Sequence, residues 1–309
     1  MMIRTSTAGL VGGALSNLLK AQLRQEQAAL QVGSEKRAVD HKGYGRDAEQ
    51  LTAVRTVHAR AEAFAAAGSA AADRLSAQNL HLESISDAAQ GARQAIATAL
   101  ANSRADGMMG ELGSRFSSAV TGLNGKHQGR YLFAGTTVDQ KPVTVSTMAE
   151  LAAAPATANG YANDTRRAAV QIDASTTLQT GFLADETATP LFESLRRIQQ
   201  FADGPGGPLT GRLTAAQTAF LEGELAALDA AHEGLIGVVA QNGGLQNQAE
   251  SAVKSQLDQA AHFEGLLVDK TGVNMAEAIT RLQMSQTAVQ ASAQVLATLK
   301  QSSLLELLR

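Results

Sequence analysis

Between Val54 and Ala99 the chain repeats itself at a spacing that leaves little choice of fold. Val54, Ala61, Gly68, Leu75, Leu82, Ala89 and Ile96 stand seven apart, and Val57, Phe64, Ala71, Gln78, Ile85, Ala92 and Ala99 follow each of them by three. A strand needs a period of two, so this pattern predicts a helix. Its length exceeds the about three to four heptads that argue for a coiled coil. A long helix in an ordinary bundle carries the same pattern. Ala61, Gly68 and Ala71 allow close approach of a neighbour, and Gln78, the polar member of the seam, is placed to set register. Asp106-Gly107 ends the helix just beyond Arg104.

Other helices follow by the same reasoning. Leu15, Leu18, Leu19, Leu23 and Leu30 fall at helical spacing between Leu10 and Val32, and Gly33-Ser34 stops them. Arg4 with the run Ala8 to Leu15 loosely resembles a signal peptide, but Ser16, Asn17 and Lys20 cut it short. An amphipathic helix is the expectation there, followed by a polar loop from Arg37 to Asp47. Leu112, Phe116, Ala119, Val120 and Leu123 share a face. Helix resumes at Pro190, a natural first-turn residue, with Leu191, Leu195, Ile198 and Phe201 on one side. Gly204 to Pro208 ends it. Leu221, Leu225, Leu228, His232, Leu235 and Val239 open a second long helical region, which Asn242-Gly243-Gly244 is expected to weaken; Val253, Leu257, Ala260 and Leu267 continue it. The closing stretch, Asn274 to Arg309, has Met275, Leu282, Val289 and Leu296 seven apart, each followed by Ala278, Ser285, Ser292 and Leu299. Such a striped helix needs partner helices.

The texture changes near Gly122 to Gly129. Arg130 to Thr137, Gln140 to Val145, Ala169 to Asp173 and Thr177 to Phe182 read as extended or turn segments. The expected fold is therefore mainly α with a small β-containing insert. Both chain ends form a long antiparallel helical rod, and the central β or irregular domain sits at its distal end. Three parts are expected: a terminal helical assembly domain of 1–45 plus 274–309, a long-helix rod of 46–130 plus 190–273, and an insert of 131–189. Leu15, Leu18, Leu19, Leu23, Leu282, Val289, Leu296 and Leu299 are the expected assembly interface. Val54, Phe64, Leu75, Leu82, Ile85 and Ile96 are the expected rod seam.

Chemistry is hard to place on this chain. Aromatics make up only 4% and Trp is absent, so cores must come from Ala, Leu, Val and Ile, which suit slender helix packing. The net charge of -3 comes from mixed acids and bases, with no polybasic block for nucleic acid or anionic lipid. No apolar run approaches the ~20 residues of a membrane span. Cys is absent, which removes thiolate chemistry and makes a structural zinc site improbable. His232-Glu233 lacks the second His of the zinc protease helix, since Ile236 stands there. Gly206 to Gly211 is followed by Arg212-Leu213, not by the Lys and Ser/Thr of a phosphate loop. His41, His58, His81, His127 and His262 show no ligand spacing. No enzyme, cofactor or metal is expected.

Several stretches resemble one family. Gly129-Arg130-Tyr131-Leu132-Phe133-Ala134-Gly135-Thr136 with Lys141-Pro142-Val143, then Asn274 to Thr280, Gln286 to Ser292 and the ending Ser302 to Leu308, resemble the flagellin superfamily, most of all its hook-associated, junction-forming members. Ile3 to Thr7 fits that family's start. Where the family often has a Ser-Asp-Asp-Pro type segment, this chain has Asp40 to Asp47, a departure. The resemblance implies export through the flagellar secretion apparatus without a cleaved signal, and helical assembly outside the cell. It implies self-association into a ring or filament, contact with another hook-associated protein and with flagellin, and an export chaperone on the closing helix. A flagellin remains the near alternative, and a cytosolic coiled-coil adaptor an alternative of another class.

Overall fold

The structure is a computed structural model. It describes residues 2–307, the side chains of 2–8, 41 and 302–307 excepted. Leu308 and Arg309, which end the predicted closing helix, lie outside the described residues. The chain folds mainly as α-helix with two small two-stranded sheets. It forms two compact units, one of residues 1–60 with 259–309 and one of residues 61–258.

The first unit contains α1 (Met2–Ser34), the start of α2 (Ala48–Asn102), the end of α6 (Ala215–Thr271) and α7 (Met275–Leu307). Helix α1 stops at Ser34 because Glu35 takes a left-handed conformation, with φ of 58°. The two connecting segments then pair: Arg37 N–H donates to the Thr271 carbonyl at 2.7 Å and Val273 N–H to the Glu35 carbonyl at 3.1 Å. The end of α1 therefore lies beside the start of α7, and the two helices run antiparallel. Asn274 caps α7, its Oδ1 accepting from the N–H of Ala276 and Glu277. The predicted polar loop is a built turn, with a short 3-10 helix at His41–Asp47. Tyr44 is buried and its hydroxyl donates to the Ala38 carbonyl at 2.6 Å. Arg37 bonds Asp47 and lies 5.6 Å from the Tyr44 ring centroid.

The second unit is a four-helix arrangement of the rest of α2, α3 (Met108–Leu123), α5 (Ala184–Asp203) and most of α6. Helices α2 and α6 run antiparallel, as Arg93 pairs with Asp229 and the Asn242 amide donates to the Leu75 carbonyl at 2.9 Å. Helix α3 contacts α5 through Phe116 and Phe192, whose ring centroids lie 4.9 Å apart. Helix α5 contacts α6 through Glu224, which accepts from Ser194 and Arg197. Leu75, Leu82, Ile85, Ile96, Leu112, Phe116, Phe133, Phe192 and Leu195 are fully buried in one continuous core.

Between α3 and α5 lies the insert. Strands β1 (Lys126–His127) and β2 (Arg130–Tyr131) pair across Gln128-Gly129, both with positive φ, which gives the twist of a type I′ hairpin. A short α4 (Met148–Ala153) follows, held by Arg196 through the carbonyls of Leu151, Ala154 and Pro155. Strands β3 (Ala169–Gln171) and β4 (Thr177–Gln179) form the second ladder. The insert is less regular than its sequence suggests. Beyond Tyr131 the ladder gives way to single bridges at Ala134 and Val143. The backbone there bonds to scattered partners, such as Leu132 N–H to Gly125 and Ala162 N–H to Pro142.

Three further expectations need correction. Helix α5 begins at Ala184, and Pro190 lies inside it. Ala184, Thr187 and Ala188 are buried, so packing holds the turns ahead of Pro190 in the helix, while Glu186, whose carbonyl loses the proline donor, and Pro190 itself are exposed. Asn242-Gly243-Gly244 does not interrupt α6, which runs unbroken for 57 residues. Asn242 is wholly buried and bonded to α2 there. In the first heptads of α2, Val57 is exposed and Phe64 half-buried, while Leu51 and Ala65 are buried instead. Ahead of Ala71 the buried positions are Leu51, Ala61, Ala65 and Gly68, whereas from Ala71 to Ala99 every position of the seven-and-three register is buried.

Candidate assembly surface

The α1–α7 pair buries small seam residues fully and larger ones in part. On α7, Met275, Ala278, Leu282, Ser285, Val289, Ser292, Leu296 and Leu299 are the buried or half-buried positions, and their described neighbours on that helix are exposed. Ala278 and Ser285 are the two buried ones. On α1 the inner stripe is Val11, Ala14, Leu18, Ala21, Gln25, Ala28 and Val32, with Ala21 and Ala28 buried. Spacings of three and four keep both stripes on one helical face each.

The leucines of α1 mostly point elsewhere. Leu18 is half-buried, but Leu15 is 47% exposed, Leu19 53%, Leu23 57% and Leu30 51%. Steps of four, four and seven residues place these four on one outer face of α1. The reading of α1 from large apolar residues thus selects the outer ridge and misses Ala21 and Ala28. The signal was present in the small residues, since a narrow two-helix seam favours Ala over Leu where backbones come close.

Beside the seam lies a groove of about 400 Å³. Ala21, Ala28 and Ser285 form its floor, and Arg24, Arg281 and Ala288 stand among its walls. Ser285 turns its hydroxyl back to the Leu282 carbonyl at 2.8 Å, so the floor presents little polarity. Arg281 pairs with Glu277 one turn earlier on α7, and both are exposed.

The predicted rod seam lies deeper. Leu75, Leu82, Ile85 and Ile96 are fully buried, and Val54 and Phe64 half-buried. Gln78 is wholly buried and, with Arg74, reaches the Leu132 carbonyl, which ties the insert to α2. Burial holds the Arg74 guanidinium below its usual range, and Arg130 nearby adds to this. His232 makes a 3.4 Å contact with Ser86 across α2 and α6, a structural setting. Among the described residues no group of three or more His, Cys, Asp or Glu could hold a metal, and no helix is long and apolar enough to cross a membrane.

The fold is shared with solved structures. A protein assigned as a flagellar hook-associated protein, from Vibrio parahaemolyticus, superposes with a TM-score of 0.60 at 17% identity, over 75% of this chain and 99% of its own. FlgL of Bacillus cereus superposes with a TM-score of 0.53 at 16% identity, over 70% of this chain and 99% of its own. No protein-family model and no curated protein matches the sequence.

Proposed function

We propose that the chain is a structural subunit of the bacterial flagellum, of the hook-associated protein 3 type, joining hook to filament by helical self-assembly through α1 and α7. The observation that carries this reading is the outward row of Leu15, Leu19, Leu23 and Leu30 on a two-helix unit whose fully buried seam positions are the small Ala21, Ala28, Ala278 and Ser285. Large apolar side chains held out in water favour burial against another chain. The shared fold with two solved structures named as hook-associated protein and FlgL supports the same reading. In it, 1–45 with 274–309 is the assembly domain, 46–130 with 190–273 the rod, and 131–189 the insert. Neighbours along the tube are another hook-associated protein and flagellin. An export chaperone covers α7 before the chain leaves the cell, without a cleaved signal.

A deletion strain tests the assignment. Loss of a junction protein is expected to leave hooks that release flagellin monomers into the medium. Wild-type filaments in that strain would overturn the junction role. Recovery of the protein from cytosol alone, never from sheared appendages, would favour a coiled-coil adaptor.

A further inference from the structure

We propose that the leucine ridge on α1 of one copy seats in the groove between α1 and α7 of the next copy, a head-to-tail contact. It rests on the self-assembling subunit proposed above and specifies how two copies meet. The ridge supplies Leu15, Leu19, Leu23 and Leu30, all exposed. The groove supplies a floor of Ala21, Ala28 and Ser285, whose small side chains leave about 400 Å³ open. Knob and hole therefore occur on the same two-helix unit.

Charge agrees with shape. Glu26 is exposed and lies between Leu23 and Leu30 on the ridge side. Arg24 and Arg281 line the groove. Seating one in the other brings a carboxylate to two guanidinium groups, and the exposed Arg281–Glu277 pair holds Arg281 only weakly. Packing ridge against ridge would instead leave the groove empty and its Arg24 and Arg281 without that carboxylate.

Orientation decides the kind of assembly. At about 100° per residue, the ridge positions and the groove positions Arg24, Gln27 and Gln31 fall on different faces of α1. A contact between two different surfaces is heterologous, so it repeats into a ring or an open helix and does not stop at a dimer.

The chain has no Cys, so engineered thiols report the contact without background. Leu23→Cys and Ala288→Cys are made separately, both at exposed positions. The full-length proteins are mixed at concentrations where electron microscopy shows wild-type assembly, then oxidised. The expected result is a covalent dimer of the mixture and none from either variant alone, with the double variant giving a ladder of oligomers. A dimer from Leu23→Cys alone means ridge-to-ridge packing and overturns the proposal. Assembled material with no mixed product, from Leu23→Cys and equally from Leu19→Cys, also overturns it while leaving the proposed function standing. Failure of the wild-type chain to assemble under any condition defeats the proposed function, and the contact with it.

Discussion

His81 shows how much one residue of this fold can report. Its ring packs on the chain at Gly125, where a Cβ would come within 2.5 Å of ring atoms. Burial holds the imidazole below its ordinary value of 6.5. The unfolded chain therefore binds more protons than the folded one below that value, and stability must fall as pH drops through it. Urea unfolding at pH 7.5 and 5.5 is expected to give the lower midpoint at 5.5, with the difference reduced in His81→Gln. An undiminished difference in that variant would assign the effect to other groups. Asp173 acts in a separate window. Backbone N–H groups of Ser175 and Thr176 hold its carboxyl at about 2, so what it contributes is present above its ordinary 3.8 and lost between there and about 2. Leu75 and Leu296 carry a second contrast. Leu75 is fully buried in the unit of residues 61–258, so Leu75→Asp is expected to prevent that unit from folding. Leu296 is a half-buried seam residue of α7. Leu296→Asp is expected to leave the circular dichroism and unfolding of residues 61–258 unchanged and to abolish incorporation into filaments. Normal filaments from it would refute the role given to the seam.

Element by element, the sequence was legible where packing follows period and illegible where it follows size. The seam of α7 lies at the seven-residue spacing itself. On α1 the same logic, applied to leucines, finds the outer face, because Ala21 and Ala28 give no signal on a scale that rewards bulk. In the insert, period serves only where β3 and β4 fall inside the expected segments Ala169 to Asp173 and Thr177 to Phe182; elsewhere the backbone partners are set by Asn124, Arg196 and other side chains far along the chain. The Gln128-Gly129 hairpin escapes notice because it lacks the usual Asn-Gly. Glycines mislead in another way. Gly122 is needed, as a Cβ there would lie 2.8 Å from Ile85 Cγ1 and 3.2 Å from the His81 carbonyl oxygen. Gly243 and Gly244 meet nothing within 4 Å, so no steric reason keeps them in α6. Each costs the helix about 0.5–1 kcal/mol relative to Ala. Gly243→Ala with Gly244→Ala is therefore expected to raise the stability of the folded monomer by about 1–2 kcal/mol, whereas Gly122→Ala lowers it. A drop in melting temperature for the first pair would show that α6 departs from regular helix there.

Across the whole molecule the two units hold unequal cores. Residues 61–258 bury Phe116, Phe133, Phe192 and a continuous set of Leu and Ile. Residues 1–60 with 259–309 bury Leu51, Tyr44 and a few Ala, and leave Leu15, Leu19, Leu23 and Leu30 in water. Burying apolar area supplies about 25 cal/mol per Å², so a seam that fully buries only Ala and Ser and half-buries its larger residues gives less than a Phe- and Leu-lined core to set against the entropy of ordering two long helices. Isolated helices are marginal in water and depend on tertiary packing. The free monomer should accordingly open in parts, with α1 and α7 at the low end of the stability range. Hydrogen exchange tests this on the intact chain. In the free protein, amides of α2 from 75 to 99 and of α6 from 221 to 249 are expected to exchange slowest, and those of α1 and α7 markedly faster. In assembled material α1 and α7 should gain protection while the others change little, because their ordering is then supported by neighbouring copies. Equal protection of both units in the free protein would mean that the α1–α7 seam is stable alone. The outward leucines would then be a docking face on a finished unit and would have no part in ordering it.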